Sequence, residues 1–277
     1  MIILTLKEQP PVPLEAEFLS PDHIAGVDQA AIRALPIFLG KRQLRVADFF
    51  TVEGERRDGQ PDDELEIRGD ASKVKWIGRG MTRGRITIRG NAGMHLGAYM
   101  KGGEIEVTGN ASDWVGAEMA NGTIRIRGNA GGQVGGAYRG SMKGMRDGTI
   151  LIEGSAGLEI GTRMRRGTIV VKGPVRDFAG LQMKGGTIVL GSGAEFRTGA
   201  WMIRGTIVSL KPLKLLPTFP YACKYNPEFL RFYARYLQKT LGVNIPCETA
   251  EGCYERYCGD TSAPGKGEIL IWRPREA

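Results

Sequence analysis

Apolar and polar positions alternate in short bursts along most of the chain. Ile86-Thr87-Ile88 and Ile124-Arg125-Ile126 each set apolar side chains two residues apart, the period of a strand with one buried face. The bursts repeat. Gly84-Arg85-Ile86-Thr87-Ile88 returns as Gly103–Val107 and Gly122–Ile126, then at Gly148–Ile152, Gly167–Val171, Gly186–Leu190 and Gly205–Ser209. The leading Gly advances by 19 residues at every step except one of 26, from Gly122 to Gly148. In all seven copies Ile stands two positions after that Gly, and Met three positions before it: Met81, Met100, Met119, Met145, Met164, Met183 and Met202. A further Gly recurs at 78, 97, 116, 135, 161, 180 and 199, and a less regular copy begins near Leu65.

No copy has room for a helix of ten residues, and turn-forming Gly-Asn-Ala or Gly-Ser-Ala follows the strand, as at Gly90–Ala92 and Gly154–Ala156. One such unit cannot bury its apolar face alone, whereas stacked units bury Ile on Ile and Met on Met. The period therefore predicts an all-β chain built on a parallel β-helix, with seven to eight coils of about 19 residues, each about 4.8 Å above the last, over residues 63–210. The seven Met are expected as core filling. Asn91, Asn110 and Asn129 are expected to stack as an amide ladder, continued by Ser155, Pro174 and Ser192. A hexapeptide solenoid is disfavoured, because 19 is not a multiple of six.

The flanks lack the repeat. Residues 1–62 form an irregular N-terminal extension, with a strand at Ile2–Leu6, an extended run at Pro10–Pro13, a short helix at Asp28–Leu35 and a turn at Asp58–Pro61. Residues 211–246 hold a C-terminal helix with Asn226 as N-cap, Pro227 at its first position and Gly242 after its last turn. Leu230, Tyr233, Leu237 and Leu241 give it an apolar stripe, which Phe229, Phe232 and Tyr236 widen. It is expected to cap the open end of the solenoid, with docking of another subunit as the alternative. Residues 247–277 read as a tail carrying Cys247, Cys253 and Cys258. Spacings of five and four residues do not match a structural zinc site, so exposed thiols in a flexible terminus are expected.

The copy that is longer by seven residues carries Ala137–Asp147, a basic, Gly-rich stretch with a Tyr at 138 that reads as exposed. Insertions in solenoids become loops on one face, and these often bind something; a tolerated bulge is the other reading. Catalytic signatures do not emerge. The two His, His23 and His95, have no Ser/His/Asp setting, and there is no phosphate loop, H-E-x-x-H or dinucleotide fingerprint. Glu104 and Glu106 sit on alternate strand positions without an identified partner.

Thirty-eight Lys and Arg against thirty Asp and Glu leave a net charge of +8. Basic residues such as Arg42, Arg85, Arg125, Arg165 and Arg231 are scattered, and no zinc finger, helix-turn-helix or RRM pattern accompanies them. Nucleic acid is therefore not an expected partner. Apolar runs such as Ile2–Leu4 and Ile269–Trp272 are too short to span a bilayer. The N-terminus does not read as a signal peptide, so a cytoplasmic location is expected.

The G-x-I-x-[IV]-x-G-[NS]-A … G … M unit, with Ser20-Pro21-Asp22, Leu35-Pro36-Ile37, Phe49–Gly54 and the Pro217–Leu237 helix region, resembles the C subunit of formylmethanofuran dehydrogenase. It is more similar still to the C subunit of the bacterial formyltransferase/hydrolase complex, over residues 1–246. The C-terminal domain of glutamate synthase large chains shares the repeat but not the flanks. The resemblance implies a right-handed, single-stranded parallel β-helix and a non-catalytic structural subunit. Its complex would convert formyl-tetrahydromethanopterin, through a formyl-methanofuran-type carrier, to formate in one-carbon metabolism (formaldehyde oxidation). It implies a formyltransferase, a metal-dependent hydrolase and a dehydrogenase-like subunit as partners, with the metal in a partner and no cofactor on this chain. The carrier's acidic glutamyl tail would be attracted by Arg139, Lys143 and Arg146 of the inserted loop. The alternatives are the C subunit of a molybdenum or tungsten formylmethanofuran dehydrogenase, or a stand-alone binding solenoid for an acidic polymer.

Overall fold

Each Gly-x-Ile core becomes one strand, and each strand pairs in parallel with the next. A computed structural model describes residues 1–54 and 63–275; the turn expected at Asp58–Pro61 lies outside them. Strands Arg85–Arg89, Lys101–Val107, Asn121–Ile126, Thr149–Ile152, Thr168–Val171, Lys184–Leu190 and Arg204–Ser209 follow one another in a thirteen-stranded, mainly parallel sheet. The register sets like on like: Ile86 opposite Ile105, then Ile124, Ile150, Ile169, Ile188 and Ile207. All seven are at most 1% exposed, and the seven repeat Met are completely buried. A second file of single bridges links Ala71, Ala92, Ala111, Ala130, Ala156, Val175 and Ala194. The chain is thus mostly β and β-helix-like.

Two ladders hold the turns, one of side chains and one of backbone. Asn91 Oδ1 accepts the backbone N–H of Asn110 at 2.9 Å, Asn110 Oδ1 that of Asn129 at 2.8 Å, and Asn129 Oδ1 that of Ser155 at 2.8 Å. The Asn ladder therefore runs through side chain to backbone rather than amide to amide. The second ladder is conformational. In successive repeats a left-handed backbone conformation falls on alternate residues, as in His95, Gly97 and Tyr99, or Trp114, Gly116 and Glu118. The central Gly sends its N–H back to the preceding repeat (Gly116 to Leu96 O, 2.8 Å), while its neighbours send theirs forward (Trp114 to Gly132 O, 2.9 Å).

Both ends of the stack extend further than the repeats. Ile2–Leu6 pairs in parallel with Glu64–Arg68, and Phe50–Glu53 closes that side antiparallel. At the other end Glu268–Pro274 pairs in parallel with Arg204–Ser209, placing Ile269 over Ile207. The stretch expected as a flexible tail is therefore ordered over its described residues, 247–275: Gly252–Cys258 and Glu268–Pro274 are sheet strands, and Tyr221–Tyr225 forms the edge beyond them. Gly267-Glu268-Ile269-Leu270-Ile271 repeats the Gly-x-Ile pattern without its Met, so the marker that identifies the other copies is missing from this one.

The C-terminal helix corrects a second expectation. It spans Glu228–Leu241 with Pro227 as N-cap, while Asn226 Nδ2 instead donates to Gly252 O at 2.9 Å. Gly242 ends it in the left-handed conformation (φ 65°). Its buried face, Leu230, Ala234, Leu237 and Leu241, packs on Leu151, Val170, Val189, Val208 and Leu270, the outward side of the sheet. The helix covers a flank, not the open end. Apolar residues determine this site: the outward position is Thr87, Glu106 and Arg125 in early repeats but Leu151, Val170, Val189 and Val208 in later ones. Closing the end falls to Leu213, Leu215, Leu216 and Phe219, packed against the main core.

Candidate functional site

The inserted loop leaves the stack after Ala137 and returns at Met145, whose N–H bonds Gly135 O at 2.8 Å. An aromatic clasp anchors its first half. Tyr138, expected to be exposed, is half-buried, stacks on Trp114 (centroids 4.8 Å apart) and shares a 2.9 Å hydrogen bond with His95 Nδ1. His95 in turn stacks on Trp76 at 4.1 Å, and Arg79 lies over Trp76 and Tyr99. These aromatic and imidazole rings come from left-handed positions of successive repeats, apart from Tyr138, which is why sequence inspection gives His95 no special setting. Burial, then the Lys75 charge, pushes the His95 imidazole down to about 4 against the pull of Asp113, so the imidazole is uncharged at neutral pH. The second half is held by Arg163 Nη1 donating to Ser141 O (2.5 Å) and Lys184 Nζ donating to Met142 O (3.2 Å).

Arg139, Lys143 and Arg146 are all exposed. Arg139 and Lys143 stand on the loop, while Arg146 belongs to a row running along the stack. The residue after each repeat Met donates its N–H to the preceding repeat's Met carbonyl, at 2.7–2.8 Å for Arg146, Arg165 and Lys184. Those three cations therefore occupy successive rungs, about 4.8 Å apart. Arg166 and Arg204 occupy the adjoining row. Sequence inspection misses Arg165, Arg166, Lys184 and Arg204 as a group because they are dispersed along the chain, and only the two positions after each Met collect them.

Pairing sets this corner apart. On the sheet's outward face charges cancel: Glu153 meets Arg125 at 2.7 Å and Arg127 at 2.9 Å, and Glu66 meets Arg68 and Arg89. Glu104 and Glu106, without partners in the sequence reading, meet Arg85 at 3.1 Å and Arg127 at 2.8 Å. Burial would raise the Glu153 carboxyl, but hydrogen bonding to Arg125 and the Lys172, Arg125 and Arg127 charges hold it below its ordinary value. Arg146, Arg165, Arg166, Lys184 and Arg204 form no ion pair with any described residue, and the one acid in their rows, Asp147, accepts from Gly148 N–H. Burial and then the charges of Arg165 and Arg163 lower the Lys184 ammonium. An uncompensated row of cations produces a field that draws anionic groups.

Beside this corner runs a groove of about 480 Å³ lined by Thr123, Asp147, Arg166, Thr187, Tyr233 and Tyr236. Tyr233 bonds Thr168 through the hydroxyls, tying the helix to the strand starts. Along the helix Phe229, Phe232 and Tyr236 are 45%, 73% and 47% exposed, an aromatic stripe whose Tyr236 also borders this groove. Among those residues no group of three or more His, Cys, Asp or Glu side chains is placed to hold a metal ion, and no helix is long and apolar enough to cross a membrane. The arrangement offers binding surfaces, a basic one and an aromatic one.

Comparison with known proteins supplies the relatives. Residues 64–213 match a family described as the GXGXG motif, the same stretch in which left-handed residues alternate. The chain is 45% identical over 97 residues to the C subunit of the tungsten-containing formylmethanofuran dehydrogenase 2 of Methanothermobacter thermautotrophicus, covering 35% of this chain and 36% of that one. It is 42% identical over 95 residues to the C subunit of the molybdenum-containing formylmethanofuran dehydrogenase 1 of Methanosarcina barkeri, covering 34% and 32%. The chain thus spans about a third of the length of the curated relatives it matches. A chain in the crystal structure of the formyltransferase/hydrolase complex (FhcABCD) from Methylorubrum extorquens, in complex with methylofuran, superposes with a TM-score of 0.86 at 32% identity. That match covers 99% of this chain and 100% of the other.

Proposed function

Since the chain belongs to the GXGXG motif family, through residues 64–213, we propose that it is the non-catalytic structural subunit of a formyltransferase/hydrolase-type complex. That complex carries a formyl group from formyl-tetrahydromethanopterin, through a methanofuran-type carrier, to formate. The observation that carries this reading is the extent of the match. Likeness to a chain of the FhcABCD complex runs over 99% of the sequence, flanks included, whereas likeness to the dehydrogenase subunits runs over about a third. We read the stack as a right-handed, single-stranded β-helix whose coils are about 19 residues long, with residues 63–210 as its repeat-built body. A cytoplasmic setting fits such a complex, and the metal and carrier chemistry belong to companion subunits.

The aromatic stripe of the helix is the subunit-docking surface in this reading, because large exposed aromatic side chains become anchors when a partner buries them. Native mass spectrometry of the tagged chain, co-expressed with the reading frames that flank its gene, tests it. The expected species is a heteromeric complex, which Phe232→Ser weakens at least tenfold while the thermal midpoint of the isolated chain holds, since Phe232 is mostly exposed. A chain that stays alone in every preparation contradicts the reading.

The unpaired basic row favours a second role, attraction of the carrier's acidic glutamyl tail, with Arg139, Lys143 and Arg146 as its first contacts. Neutralising these three to Gln is expected to weaken carrier binding roughly tenfold at low salt, at up to about 0.5 kcal/mol per exposed charge, with the effect fading as salt screens it. Equal carrier affinity at low salt removes the role. The same row makes a stand-alone acidic-polymer binder the rival reading, which native mass separates.

A further inference from the structure

Trp201 is held where tryptophan is costly and displayed where it is wet. Its φ is 55°, and its indole is 52% exposed. The first repeat places Gly80 at the equivalent left-handed position, which glycine occupies without strain. The conformation itself belongs to the repeat, since Tyr99, Glu118, Arg163 and Gln182 adopt it at the same position; what sets Trp201 apart is a large apolar side chain left in contact with water there. Met142 of the inserted loop is 55% exposed, and its backbone is fixed by Lys184. With Ile203, Ala263 and Pro264 these side chains line a hollow of about 390 Å³. Three separate parts of the chain build it: the insertion, the last repeats and the loop before the final strand. Arg163 and Lys184 stand on its rim, and none of its described lining residues is acidic.

We propose that this hollow is a docking pocket for a segment of a partner protein that inserts one large apolar side chain and flanks it with carboxylates. The inference rests on the assembly reading above in that the occupant is another chain. Exposed Trp and Met beside a half-buried Arg around a concavity are the composition of an interaction hot spot. The volume lies near the lower end for ligand pockets and suits one or two side chains. The cationic rim sets the sign of the partner, because carboxylates beside the anchor gain and a second copy of this chain would bring like charges together. A nucleic-acid strand is disfavoured, since it uses a series of stacking platforms and Trp201 is the only aromatic residue among the described lining.

The test is selection of a random twelve-residue peptide phage library on the full chain, followed by affinity measurement of a synthetic selected peptide. The expected peptides carry Trp, Phe, Leu or Met with at least two Asp or Glu nearby. Their affinity falls at least tenfold in Trp201→Gly and in Lys184→Glu and is unchanged in Phe232→Ser. Glycine accepts φ 55° freely, so the thermal midpoint of Trp201→Gly stays within a few degrees of the parent. Failure to enrich any peptide, enrichment of peptides without acids, or parent-like binding by both variants overturns the proposal. So does a collapsed midpoint in Trp201→Gly, which would assign the indole to the fold, or displacement of the peptide by a twenty-nucleotide oligo-dT that binds through the same two residues. Peptide binding reads the pocket alone and native mass reads the complex, so either can fail without the other.

Discussion

Alanine at Gly116 is expected to destabilise the chain by about 3 kcal/mol, combining a left-handed non-glycine residue with overpacking of a filled core. Gly116 has φ 60°, and an added Cβ would lie 2.5 Å from Ile150 Cδ1 and 3.3 Å from Ile124 Cδ1. The central Gly of one repeat is roofed by the Ile of another, so the repeat needs both residues together. Gly26→Ala is the control: its φ is 76°, but nothing lies within 4 Å of the added Cβ, so only the conformational cost of about 1 kcal/mol remains. In the double variant with Ile150→Val, which lacks the offending Cδ1, the loss should be smaller than the sum of the single losses. Urea unfolding at neutral pH reads all four. A Gly116→Ala no worse than Gly26→Ala would mean that the Ile does not press on the Gly backbone.

Asp260→Ala is expected to cost about 3 kcal/mol at pH 7, because it removes charged acceptors from buried donors. Along the stack, left-handed residues pass their N–H to the next repeat, as Gln182 does to Ala200 O at 2.8 Å. Trp201 has no such repeat to follow, and Asp260 Oδ2 takes its N–H instead, at 2.7 Å. Asp260 is only 2% exposed and also accepts from Ser262 N and Oγ at 2.9 and 2.6 Å. Burial alone would raise its carboxyl. The Ser262 hydroxyl and the backbone N–H groups of Trp201 and Ser262 outweigh burial and hold it below the ordinary value. A depressed carboxylate contributes stability that is present above its unfolded value, about pH 4, and is lost as pH falls through the lower folded value. The parent's advantage over Asp260→Ala should therefore be constant from about pH 5 to 7 and shrink below about pH 4. Asp260→Asn, which keeps one acceptor oxygen, should lose less at pH 7. Equal stability of the parent and Asp260→Ala at pH 7 would show that another acceptor satisfies Trp201.

What is legible in the sequence is what repeats impose on themselves. Ile and Met recur at fixed offsets because each buries against its own copy, so the strands, their parallel pairing and the buried Met row follow from the order of residues alone. Interactions between a repeat and something unlike itself are not legible in the same way. The helix is expected at the open end when only its own stripe is considered; the matching apolar row, Leu151 to Val208, lies in the sequence but names no partner. The last strand is hard to see because Gly267–Ile271 lacks the Met marker and follows some sixty residues outside the period. The basic corner is hidden for a geometric reason: Arg146, Arg165 and Lys184 become neighbours only when the backbone returns to the same edge after each repeat. Tyr138 reads as exposed because its cover, Trp114 and His95, comes from earlier repeats through left-handed residues, which residue type alone does not announce.

The proposal that this chain organises catalysts without being one is tested most directly by reconstituting formate release from formyl-tetrahydromethanopterin with the proposed companion subunits, with and without this chain. The account predicts no formate from the chain alone, and loss of both assembly and formate release when it is omitted. Formate produced by the isolated chain, or companions that keep their assembly and full rate without it, would contradict the account.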